Sequence, residues 1–170
     1  VYANCIIYAF IYVWILLLSP KLWWKGRVNK LRSLVIFVWC VAILIFTCTA
    51  SFHDLIHFGV LSFHWDNQPM FSEFLSPFPS DISQNLLIQK LGHIVAFLIL
   101  TLLVVMKLRS IPLILIMTAS FAALTEFLQL YFSRGGRLFD IGIDLIGILA
   151  ALGMAALFKS KQSKQINFDN

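Results

Sequence analysis

The sequence predicts an all-α polytopic membrane protein with about five transmembrane helices. Two observations carry this. Of its 170 residues 60% are hydrophobic and 12% charged, and the apolar residues gather in five long runs. Soluble domains average roughly 25% charged residues. A core this small cannot hide so much apolar surface, so lipid must cover part of it. The runs cover about residues 2–18, 34–50, 88–106, 112–132 and 138–158. Each approaches the roughly 20 apolar residues that span a bilayer core as a helix. Helices are required because lipid offers backbone N–H and C=O groups no partner. The length fits a single membrane domain.

The first run lacks a basic leading segment and a small-residue cleavage site, and the charges that follow it would stop transfer, so it is read as a span. Cys5, Cys40 and Cys48 all lie in the first two runs, with no CxxC pair. They read as small buried hydrophobes, without a disulfide framework or a thiolate metal site.

Orientation follows from the basic residues. Residues 19–33 carry Lys21, Lys25, Arg27, Lys30 and Arg32 and no acid. Residues 51–87 carry Asp54, Asp66, Glu73 and Asp81 and no Lys or Arg. The third connection holds Lys107 and Arg109, and the tail holds Lys159, Lys161 and Lys164. Ten of the 13 basic residues thus lie on one side. This predicts an outside N-terminus and a cytoplasmic C-terminus. The net charge of +5 follows the membrane in this way and does not form a nucleic-acid-binding face. Only Lys90, Arg134 and Arg137 break the pattern.

The domain then divides into two scaffold spans (1–50), an extracytoplasmic loop (51–87), a three-span core (88–158) and a basic cytoplasmic tail (159–170). The loop holds Phe52, Phe58, Phe63, Trp65, Phe71, Phe74 and Phe78, with Pro69, Pro77 and Pro79 breaking long helices. Aromatics favour the headgroup level. The loop is expected to lie on the membrane surface or over the bundle mouth, with a short helix near its start. Trp23 and Trp24 would mark the opposite interface.

Three polar pairs stand at helical spacing: Lys90 with His93, Glu126 with Gln129, and Asp140 with Asp144. Each pair shares one helix face. Arg134 and Arg137 flank Gly135 and Gly136 in the turn between the last two spans. At about 1.5 Å per residue, His93, Glu126 and Asp144 would lie on the order of 8–9 Å below the outer surface. Such groups facing lipid cost several kcal/mol each, so they are expected to converge. One pocket open to the outside should contain all eight residues.

The pattern Lys90-x-x-His93-x-x-x-Phe97, Glu126-x-x-Gln129, then Arg134, Asp140, Asp144 and Gly147 resembles the VanZ-like membrane proteins. The resemblance covers about residues 88–158. It implies a bacterial cytoplasmic membrane protein linked to lowered susceptibility to teicoplanin, a lipoglycopeptide that binds cell-wall precursors at the outer face.

Three readings of the cluster stay open. A structural one has the carboxylates pair with Lys90 and Arg134 to hold helices together, although buried pairs often stabilise no better than apolar packing. In a binding one, Arg134 and Arg137 meet the phosphate of an anionic lipid, a lipid-linked cell-wall precursor or a teichoic-acid lipid. Lys90 and Gln129 would orient the cluster, and Asp144 would anchor Arg134. In an enzymatic one, a phosphoryl or acyl hydrolase or transferase, His93, Glu126 and Asp140 carry the proton chemistry. A divalent cation on His93, Glu126, Asp140 and Asp144 is a variant of it. No nucleophile stands out, Ser133 and Thr125 being ordinary, and no cofactor or resident metal is expected. His53 and His57, four apart with Asp54 and His64 nearby, read as interfacial side chains more readily than as a zinc site. Gly142, Gly147 and Gly153 read as packing positions within the bundle rather than as a dimer face.

Overall fold

The computed structural model describes residues 27–51, 54, 58–76, 84–132 and 135–168. The expected span at 2–18, with Cys5, Trp23 and Trp24, lies outside the described residues, as do His53, His57, Asp81, Ser133 and Arg134. The described elements are all helical: α1 (Arg27–Cys48), the single turn α2 (Phe71–Phe74), α3 (Gln84–Val105), α4 (Ile111–Tyr131) and α5 (Leu138–Phe168). Among the described residues, four segments are long and apolar enough to cross a membrane: Lys30–Cys48, Leu86–Val105, Ile111–Tyr131 and Leu138–Ser160.

Between 22% and 44% of each such segment is buried inside the molecule. The remaining surface includes Leu34, Phe37, Val38 and Phe46 of α1 and Ile146, Leu149, Leu157 and Phe158 of α5, all exposed. A face of this kind needs lipid against it. This is a membrane protein.

The helices outrun the apolar segments. α1 starts seven residues before the predicted span, at Arg27, and α5 continues to Phe168. Lys, Arg and Gln are good helix formers, so the backbone stays helical beyond the hydrocarbon. Pro112 stands in the first turn of α4, where its missing N–H loses no internal hydrogen bond.

α3 packs most extensively on α5, with α4 against both and α1 alongside. Phe97, Leu100, Ala122, Ile148 and Ala151 are fully buried between them, and the Phe97 and Phe121 rings lie 6.1 Å apart. Gly147 permits the close α3–α5 approach. A Cβ there would lie 2.2 Å from the Ile94 carbonyl oxygen. Gly142 and Gly153 have nothing within 4 Å of the corresponding point, so Gly147 alone of the three makes a tight helix contact among the described residues. The buried hydroxyls of Thr101, Thr118 and Thr125 donate to carbonyls three or four residues back, which meets their hydrogen-bonding need within the helix. The Trp39 indole donates to the Ala96 carbonyl at 3.0 Å and ties α1 to α3.

The loop after α1 docks on the C-terminal end of α4. Trp65 stacks on Tyr131 with centroids 5.3 Å apart and meets Phe132 edge-on at 5.2 Å. The Asp66 N–H donates to the Tyr131 carbonyl at 2.7 Å. α2 sits beside this contact, with Phe71 6.2 Å from Phe127. The short helix expected near the loop's start falls mostly outside the described residues.

Candidate functional site

The three polar helix pairs converge. Lys90 and His93 come from the first half of α3, Glu126 and Gln129 from the last turns of α4, and Asp140 and Asp144 from the first turns of α5. Facing helices thus present one polar patch at the same level, near the end where α4 turns into α5. Glu126 and Asp144 have no exposed surface, and Gln129, Asp140 and His93 are buried.

His93 Nδ1 lies 3.1 Å from Asp144 Oδ1 and 3.7 Å from Glu126 Oε1. The Gln129 amide donates to Glu126 Oε1 at 3.3 Å, and the Arg137 backbone N–H donates to Glu126 Oε2 at 3.2 Å. Lys90 forms an ion pair with Asp140. Asp144 Oδ2 is buried and has no hydrogen-bond partner among the described residues. One donor atom from each of His93, Glu126 and Asp144 lies within 4.8 Å of the others, close enough to hold a metal ion together. That N, O, O set suits a divalent cation.

Gly136 brings the α4–α5 turn against the cluster. A Cβ there would lie 2.0 Å from the Glu126 carbonyl oxygen and 3.0 Å from Gln129 Cβ. Gly135 takes a φ of 59°, a left-handed conformation that glycine adopts without steric penalty. These two glycines let the Arg137 N–H reach Glu126.

A similar protein is known. The chain is 33% identical over 135 residues to the uncharacterized membrane protein YwnJ of Bacillus subtilis (strain 168), the match covering 79% of this chain and 96% of that protein. The chain belongs to the YwnJ family of membrane proteins. No family profile and no solved structure matches it.

In this YwnJ-family chain, seven of the eight residues singled out in the sequence stand in or beside one cluster, and Arg134 lies outside the described residues. The expected pairing of Lys90 with a carboxylate is present, and the expected Asp144–Arg134 contact falls on a residue outside the described ones. Asp144 hydrogen-bonds His93 through Oδ1, and Asp140 pairs with Lys90. Arg137 meets Glu126 through its backbone N–H. Phe97, one turn beyond His93 on the same face, is fully buried against Phe121 and belongs to the apolar layer beneath the cluster.

The sequence reading missed an adjoining groove. A cavity of about 240 Å³ opens between α1 and α3, lined by Trp39, Phe46, Gly92, His93, Ala96 and Phe97 among others. His93 belongs to both cluster and groove. The one signal was Gly92, an unexplained glycine inside an apolar helix.

Proposed function

We propose that the protein is a VanZ-like membrane protein that recognises an anionic cell-envelope lipid or precursor. The headgroup sits at the polar cluster and an acyl chain in the groove beside it. The observation that supports this most is the groove. It is apolar, borders His93, and is lined by Gly92, where a Cβ would meet nothing within 4 Å among the described residues. Glycine inside a helix costs roughly 1 kcal/mol relative to alanine, and no packing contact with the described residues requires it. An amphiphile matches a polar cluster continuous with an apolar slot.

Three carboxylates against Lys90 and His93 leave little positive charge in the cluster itself. The phosphate is therefore assigned to the guanidinium of Arg137, next to the glycine turn, together with that of Arg134, its near neighbour in sequence, since guanidiniums suit a phosphate. Five spans with an outside N-terminus would put this end at the outer face of the bacterial cytoplasmic membrane, as the basic residues imply. Binding there would mask or redistribute the target of a lipoglycopeptide and so lower susceptibility to teicoplanin.

The convergence of His93, Glu126 and Asp144 favours a second reading, an enzyme acting on the same lipid. A divalent cation on these atoms would stabilise developing charge on a phosphoryl or acyl group. Incubation of purified protein with labelled lipid precursors separates the two. Saturable binding without product supports recognition, whereas turnover that stops with a chelator supports the enzyme. A purely structural cluster predicts that Glu126→Gln and His93→Ala fail to accumulate in membranes. Normal accumulation with loss of resistance would exclude that reading.

A further inference from the structure

At the other end of the bundle a second cavity, of about 680 Å³, is lined by residues from four helical segments. Arg32 comes from the start of α1, Lys107 and Arg109 from the turn between α3 and α4, and Lys159 from the far part of α5. None of the described lining residues is acidic. Deeper in, the wall is apolar, formed by Leu102, Val105, Ile114, Leu152 and Ala155 among others. His93 and Met106 are 13 residues apart on α3 and the turn that follows it, so about 20 Å separates the two sites along the helix axis.

The basic residues at this end serve topology, and that accounts for their number. It does not account for their convergence. The Arg32 guanidinium donates to the Met106 carbonyl at 2.8 Å, and the Lys107 ammonium donates to the Ser33 hydroxyl at 2.7 Å. These bonds, each 74 residues apart in sequence, fix two cations across the α1–α3 contact. Burial holds the Lys107 ammonium below the usual lysine range, so an adjacent anion would favour its charged form. Arg109 and Lys159 are exposed in the same cavity. Cations thus stand at the level where the spans end, above an apolar wall that continues into the hydrocarbon.

We propose that this cavity binds the phosphate headgroup of an anionic membrane phospholipid, with its acyl chains running down the apolar wall. The site is separate from the Glu126 cluster and does not depend on what that cluster binds. Basic pockets between membrane helices commonly receive such headgroups. The shared chemistry is an anionic phosphate group, and the test must separate a lipid from free phosphate.

Purified protein in phosphatidylcholine nanodiscs is titrated with phosphatidylglycerol, and retained lipid is counted by native mass spectrometry. The wild type should retain phosphatidylglycerol over phosphatidylcholine. Replacing Arg109→Gln and Lys159→Gln together should weaken that preference about tenfold or more, because each removes a charge-assisted hydrogen bond to the bound phosphate. Both side chains are exposed, so the fold should persist. Lys30→Gln removes an equal charge outside the cavity lining and should leave the preference nearly unchanged. If Lys30→Gln lowers retention as much as either cavity substitution, the general field of the basic loops attracts the lipid and the site is refuted. Millimolar inorganic phosphate should not displace the lipid; displacement would mean that a free phosphate is the ligand and would overturn the lipid assignment.

Discussion

Glu126 has no exposed surface and accepts hydrogen bonds from the Gln129 amide and the Arg137 N–H. Removing it strands both donors, and a buried unsatisfied polar group costs on the order of 1–3 kcal/mol. Glu126→Ala should therefore lower thermal stability in detergent clearly, while Glu126→Gln, which keeps an acceptor and the shape, should lower it much less. Equal losses would mean that the hydrogen bonds contribute little. The glycines offer a second contrast. Gly147→Ala drives a methyl to 2.2 Å from the Ile94 carbonyl oxygen, where only a shift of one helix relieves the clash. Overpacking of this kind costs roughly 1–3 kcal/mol. Gly142→Ala meets nothing within 4 Å among the described residues and should be tolerated. Thermal melts of the two variants in one detergent check the ordering.

Among the elements, the loop after α1 is held to α4 by Trp65, through its ring contacts with Tyr131 and Phe132. Aromatic pairs contribute about 0.5–1.5 kcal/mol each beyond burial. Trp65→Ala should loosen the loop without unfolding the bundle, seen as faster limited proteolysis between Ser62 and Ser76 with the spans intact. An unchanged cleavage rate would mean that the loop is held elsewhere. The described helices were legible because apolar runs of bilayer length leave few alternatives. Their ends were not, because hydropathy reports the edge of lipid and not of the helix, as Arg27 and Phe168 show. Lys90 and His93 were correctly expected on one face, since spacing within a helix decides that. Which carboxylate each would meet depends on how α3 and α5 are set against one another, and Gly147 governs that contact. Local spacing cannot report it. The groove and the basic cavity were hidden for the same reason, as both arise between segments far apart in sequence.

At the scale of the molecule, two chemically different ends are joined by an apolar bundle. One carries buried carboxylates with a histidine and a lysine, the other a basic cavity. If the basic end faces the cytoplasm, Asn67→Cys should react with an impermeant maleimide on intact cells, and Ser160→Cys only after the cells are opened. The reverse pattern would invert the topology and remove the argument for an envelope ligand. The polar cluster and its groove are proposed to hold an amphiphile together. Gly92→Leu probes this, because the new side chain fills the groove from a position with no neighbour within 4 Å among the described residues. The measurement is saturable binding of a labelled long-chain lipid phosphate to the purified protein. Gly92→Leu is expected to keep wild-type thermal stability and to weaken binding about tenfold or more. Wild-type affinity in a folded Gly92→Leu protein would contradict the proposal.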